Sequence, residues 1–267
     1  MKKVIVSICL LAVVIIGCHK VPITNRKQLN LLPETELIGM SLTAYQEFLT
    51  ENPPVKSGSK DEKLVKRLGQ EISVAVEEFM KQEGLSKRLE GYAWEFNLVN
   101  DNTVNAWCMP GGKVVVYSGL LQVTQNEDAL ACVMGHEIAH AIARHGNERM
   151  SKGLLIQAGG MALSVALSQK PKLVHDLFLQ SYGISSSLGM LKYSRMNETE
   201  ADKLGLIFMA MAGYNPSEAV NLWIRMGEAS GGQAPPEFLS THPSNETRIA
   251  DIKAYLPTAM KYYKKKG

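Results

Sequence analysis

The stretch CVMGHEIAHAIARHG, residues 132–146, holds three of the chain's six histidines, His136, His140 and His145, with one glutamate between the first two. In an α-helix, residues four apart lie about 40° from one another around the axis, with β-carbons about 5–6 Å apart. His136 and His140 therefore aim two imidazoles at one point, as a tetrahedral zinc ion requires. Glu137 flanks that point and is placed to take a proton from an attacking water. His145 comes five residues after His140, about 140° round, and is expected to point away in a structural role. Taken alone, H-E-x-x-H also fits a polar face on an apolar helix. The neighbourhood favours metal: Ala139, Ala141 and Ala143 keep the helix slim, and Val133, Met134, Ile138 and Ile142 anchor it. A buried helix carrying ionisable groups loses stability unless they are paired or bind metal.

A catalytic zinc usually has three protein ligands and one open position. The segment YSRMNETEADKLG, residues 193–205, offers Glu198, Glu200 and Asp202. Glu198 and Asp202 are four apart and share a helical face, whereas Glu200 lies about 200° round from Glu198. This assigns Glu198 to the metal and Asp202 to orienting a ligating histidine through its second ring nitrogen. Glu200 is the competitor for the ligand role and is expected in solvent.

These groups need elements to carry them. Leu37, Met40, Ala44, Tyr45 and Phe48 fall at helical spacing, as do Leu64, Leu68, Ile72, Val76 and Phe79, with the break NPPVKSGSK between the two sets. Tyr92, Trp94, Phe96 and Leu98 alternate as in a strand, and NAWCMPGGKVVVYSGLL reads as strand, Pro-Gly-Gly turn, strand. Thr124 and Glu127 have capping-box spacing at the start of the H-E-x-x-H helix. Residues 153–168 are apolar but short for a membrane span; they read as part of a helical insertion over about 151–190, with a lid or membrane-dipping role as the lesser reading. Further helices are expected near Asn197, near Pro216 and up to about Leu256.

The chain has 267 residues and a net charge of +3. Much of that excess is terminal, including the tail 257–267, and no basic stripe crosses the middle, so nucleic acid is not an expected partner. Lys2 and Lys3 precede an apolar run, Val4 to Ile16, that ends in Ile15-Ile16-Gly17-Cys18. Residues 1–17 read as a signal peptide with a lipobox-like end, and Cys18 as the lipidated residue holding the protein to a membrane. Residues 18–59 would then be a tether and a first helix. Of the remaining cysteines, Cys108 and Cys132 are equally compatible with a disulfide and with two buried thiols.

The motifs GHEIAHAIARH, YSRMNETEAD and NAWCMPGGKVVVYSGLL, in this order and spacing, resemble the zinc metallopeptidase family of HtpX and the CaaX prenyl protease, of gluzincin type. The resemblance covers about residues 60–256 and is nearest to soluble bacterial members such as LoiP and BepA and to the mitochondrial Oma peptidase. It implies an α+β, zincin-like fold, mainly helical, with a small mixed β-sheet beside the H-E-x-x-H helix. It also implies one zinc ion per chain on His136, His140 and Glu198, with Glu137 as general base and Asp202 behind a ligand. Asn105 and Ala106 match an edge strand to which a peptide adds. His242, in STHPSNETRI, would steady the oxyanion or fill the open zinc position at rest, and Arg248 would hold that loop or the transition-state charge. Trp107 and Cys108 depart from the family pattern beside Asn105-Ala106. The expectation is a zinc endopeptidase acting on unfolded or misassembled envelope proteins, lipid-anchored at Cys18 on the periplasmic side, at the outer membrane rather than the inner. The rival reading is a non-catalytic chaperone that uses the same fold as a peptide clamp.

Overall fold

The apolar faces in the sequence close over a three-stranded sheet. A computed structural model describes residues 18–157, 171–182, 193–229, 238–239, 242 and 246–265. Helix α1 (Glu34–Glu51) and helix α2 (Lys60–Gln82) take up the first two periodic stretches, and Ser59 caps α2 by accepting from the Glu62 amide. The sheet comprises β3 (Glu95–Val99), β4 (Ala106–Met109) and β5 (Lys113–Tyr117), in the order β3-β5-β4. β3 runs parallel to β5, and β4 pairs antiparallel with it, which leaves β4 at an edge. Gly111 and Gly112, at φ 84° and 80°, make the turn between β4 and β5 in a region that glycine reaches without strain. The alternation expected from Tyr92 begins only at Glu95. Trp94 stays outside the strand and stacks on Phe96, with ring centroids 6.2 Å apart.

Each strand residue chooses a face by the pleat. Ala106, Cys108, Val114 and Val116 point into a core built with α2. Trp107, Met109, Val115 and Tyr117 point the other way, onto Leu37, Tyr45 and Phe48 of α1. Trp107 is thus an anchor for α1, meeting Phe48 edge-on at 5.0 Å.

Helix α3 (Ser118–Thr124) ends at Gln125, whose φ of 62° turns the chain before α4 (Glu127–Ile142). Thr124 therefore closes one helix instead of opening the next. The cap of α4 is Asn126, whose side chain accepts from the Ala129 amide. Helices α5 (His145–Gln157) and α6 (Pro171–Tyr182) follow, and the rest of the expected insertion over 151–190, with most of the apolar run 153–168, lies outside the described residues. Among the described residues no helix is long and apolar enough to cross a membrane. Helix α7 (Arg195–Met211) starts with a reciprocal capping box between Ser194 and Asn197. Helices α8 (Glu218–Glu228) and α9 (Glu246–Ala259) complete the order.

Helices α4 and α7 touch backbone to backbone. A β-carbon added at Gly135 would lie 2.9 Å from the Gly205 carbonyl oxygen, and one at Gly205 would lie 2.8 Å from the His136 nitrogen. Two glycines thus let the helix bearing the histidines meet the helix bearing Glu198.

The first described residues depart from expectation. Residues 18–32 are not a free tether: β1 (Cys18–Lys20) and β2 (Lys27–Leu29) form an antiparallel hairpin, with Cys18 opposite Leu29. Val21 and Leu32 are buried beside it, and Gln28 Nε2 donates to the Ala143 carbonyl at 2.8 Å. These contacts hold the segment to the body. The basic tail also docks, with the Lys264 amide donating to the Ala210 carbonyl and its ammonium 2.9 Å from Glu78.

Candidate active site

On α4, His136, Glu137 and His140 are all buried. The two histidine Nε2 atoms lie 3.0 Å apart, and Glu198, from the first turn of α7, brings Oε2 to 3.4 Å from His136 Nε2 and Oε1 to 3.4 Å from His140 Nε2. His242 joins them, its Nδ1 at 3.2 Å from His136 Nε2 and 2.9 Å from Glu198 Oε1. One donor atom from each of these four residues falls within 4.8 Å of the others. Two nitrogens bound to a tetrahedral zinc ion at 2.0–2.1 Å sit about 3.3 Å apart, so the spacing suits one ion. The donor set, three imidazoles and one carboxylate, is the chemistry zinc takes.

The electrostatics agree with a cation at this point. Burial disfavours charge on His136, but Asp202 and Glu198 outweigh it and lift the group to about 9, so the pocket calls for positive charge among its ring nitrogens. Burial pushes His140 well below its usual range, leaving a neutral ring with a free lone pair. For Glu198 burial works upward, yet His242 and Arg248 hold it well down as a carboxylate. Glu137 is raised, mainly by burial. Its Oε1 lies 3.5 Å from His242 Nε2 and has no hydrogen-bond partner among the described residues.

Behind the donors, Asp202 lies 2.9 Å from His136 Nδ1. Arg248 forks to both Asp202 oxygens at 2.8 and 2.7 Å and reaches Glu198 Oε2 at 2.7 Å, with its guanidinium 3.5 Å over the Trp223 ring. Its Nη1 also donates to the His242 carbonyl at 3.4 Å. Asn105, Ala106, Cys108, Glu137, Tyr193 and His242 line a narrow cleft that runs from the sheet edge to Glu137 and His242. Cys108 and Cys132 are free, buried thiols.

Two residues behave differently from their sequence reading. His145 does not point away. Arg144, at φ 60°, breaks the helix after Ala143, so the 100° step no longer applies and His145 Nδ1 returns to 2.9 Å from His140 Nδ1. Glu200 is not in solvent. It is buried, 3.1 Å from His145 Nε2 and 2.9 Å from Arg26. Sequence reasoning also missed Tyr193, which stacks on His140 at 3.8 Å, and Phe238, which stacks on His242 at 4.6 Å. Tyr193 opens the quoted YSRMNETEAD motif, which was the one available signal; Phe238 had none.

Residues 66–256 match peptidase family M48. The mitochondrial metalloendopeptidase OMA1 of Schizosaccharomyces pombe is 33% identical over 90% of this chain and 66% of its own length. OMA1 of Saccharomyces cerevisiae is 36% identical over 66% of this chain and 50% of its own length. The β-barrel assembly-enhancing protease of Escherichia coli is 31% identical over 60% of this chain and 34% of its own length. The chain thus spans from about a third to two thirds of the length of these relatives. The expected address is corrected here: the fungal relatives, at 33% and 36% identity, are mitochondrial, against 31% for the bacterial one, and nothing supports a periplasmic outer-membrane lipoprotein. With the family match covering most of the chain and the H-E-x-x-H helix, the acidic helix and the edge strand assembled around one donor group, the chain belongs to peptidase family M48.

Proposed function

We propose that this protein is a zinc metalloendopeptidase that cleaves peptide bonds in unfolded or misassembled proteins, as a quality-control protease. The observation that carries the reading is the convergence of His136, His140 and Glu198, with Glu137 Oε1 beside them and unpartnered among the described residues, next to a cleft lined by the edge strand β4.

The Tyr117 amide donates to the Asn105 carbonyl. By antiparallel alternation, Trp107 makes the next bonded pair, and the backbone groups of Ala106 and Cys108 face outward from β4. An extended peptide added there is held by main-chain bonds, which suits substrates of varied sequence. Zinc bound by His136, His140 and Glu198 would supply Lewis acidity toward the scissile carbonyl and the attacking water. Glu137 takes the proton of that water and hands it to the leaving amine, and its raised affinity for protons suits the exchange. His242, 3.2 Å from His136 and 3.5 Å from Glu137, stands where it either closes the donor group at rest or steadies the negative charge that develops on the carbonyl oxygen. Asp202 holds His136, and Arg248 holds both Asp202 and Glu198.

Digestion of an unfolded protein with and without chelator, beside the Glu137→Gln variant, tests this. Chelation should stop cleavage and added zinc restore it. Glu137→Gln should keep one zinc per chain and lose about 10²–10⁴-fold in turnover. Near-parental turnover in that variant refutes the mechanism. Zinc and peptide binding without cleavage in the parent protein would favour the clamp reading.

A further inference from the structure

His140 offers Nε2 to the metal group, so its other nitrogen decides how that ring is held. His140 Nδ1 lies 2.9 Å from His145 Nδ1, and His145 Nε2 lies 3.1 Å from Glu200 Oε2. Glu200 in turn accepts from Arg26 Nε and Nη2, both at 2.9 Å, and from Thr24 Oγ1 at 2.6 Å. The Arg26 fork continues to Glu148 at 3.0 and 2.8 Å.

Only one set of protons satisfies this chain. A neutral His140 that ligates through Nε2 carries its proton on Nδ1 and donates it to His145. His145 then accepts at Nδ1, carries its own proton on Nε2 and donates it to Glu200. Glu200 must be the acceptor, and the Arg26 guanidinium supplies the opposing charge. A ligating histidine usually donates its second N–H directly to a carboxylate, a carbonyl or water. In this chain an extra imidazole stands between, and the carboxylate at its end is held by a residue from the N-terminal hairpin. The same hairpin grips the end of α4 at two further points. Gln28 donates to the Ala143 carbonyl at 2.8 Å, and Arg88, on the Ile142 carbonyl at 2.9 Å, also reaches the Lys20 carbonyl at 3.2 Å.

We propose that Arg26 is a positioning residue of the metal centre, acting through Glu200 and His145 to hold His140 in its ligating tautomer and orientation, so that the β1–β2 hairpin completes the zinc site. This rests on the zinc-site reading above. It assigns a role to a segment that supplies none of the four donors His136, His140, Glu198 and His242, with Arg26 174 positions before the carboxylate it holds.

The test measures zinc affinity of the full chain by chelator competition, together with the visible spectrum of the cobalt-substituted protein, which reports the ligand field at the site. Lys152→Ala is the control, because Lys152 pairs with Glu148 at 2.8 Å from the α5 side and is not a Glu200 partner. Arg26→Ala and His145→Phe should each weaken zinc about 10–100-fold and shift the cobalt spectrum, while Lys152→Ala leaves both unchanged. Arg26→Lys should fall between, since an ammonium cannot fork across two carboxylates. The double variant should lose little more than the worse single one, because both act on one relay. Parental zinc affinity in Arg26→Ala and His145→Phe, or losses that simply add, overturn the proposal. If either variant fails to fold without metal, Arg26→Lys decides: an unchanged cobalt spectrum and affinity overturn it. Absence of zinc from the parent protein overturns the metal site itself, which separates the two failures.

Discussion

At the residue scale, the far side of each ligand is as constrained as the near side. Asp202 holds His136, and Arg248 ties Asp202 to Glu198 with one buried guanidinium. Burying three ionised groups together is tolerable only because the fork satisfies two carboxylates at once and the Trp223 face covers its plane. A lysine at this position keeps the charge but cannot span both partners. Arg248→Lys is therefore expected to lower zinc affinity about 10–100-fold by chelator competition, and Asp202→Asn to do the same by leaving His136 with a weaker acceptor. Parental affinity in Arg248→Lys would show that only the charge matters.

At the element scale, the crossing of α4 and α7 sets the distance between the histidines and Glu198. Gly135 and Gly205 form that crossing, and the clashing atoms on both sides are backbone, which cannot rotate away. Gly205→Ala should therefore force the helices apart. The expected cost is about 1–3 kcal/mol of stability, the usual range for overpacking, read from denaturant midpoints, and zinc should bind more weakly as Glu198 retreats. Gly227→Ala, where an added β-carbon meets nothing within 4 Å, is the matched control. A Gly205→Ala protein as stable and as tight for zinc as the control would mean that the crossing is not the limiting contact.

At the scale of the whole molecule, the sheet separates two cores, and a polar network at the rim joins the N-terminal hairpin to α5 and α7. Glu148 sits in that network. Burial raises its carboxyl, but Arg26 and Lys152 outweigh this and hold it at about 2. An unfolded glutamate titrates near about 4.3, so the folded state binds this proton less readily than the unfolded one. The interaction therefore contributes stability that is fully present above the unfolded value and is lost as pH falls through the folded one. Urea midpoints of the parent should decline between about pH 5 and about pH 2, and Glu148→Gln should begin lower and decline less steeply over that range. Identical slopes would show that other carboxylates govern acid unfolding.

What the sequence by itself determined is whatever a single helical pitch fixes. His136, Glu137 and His140 lie within one turn, as do Glu198 and Asp202, so their relative directions follow from residue spacing alone. The periodic stretches of α1 and α2 and the Pro-Gly-Gly turn were legible for the same local reason. Only the tertiary structure decided what happens where the pitch stops. A single positive φ at Arg144 turned His145 back onto His140, and no count of residues across that break gives its direction. Glu200, read from the helical wheel as a solvent group, is buried because Arg26 arrives from a hairpin that looked like a tether. Partners brought together by long-range packing leave no mark on local spacing, and in this protein they hold the ligands that local spacing supplies.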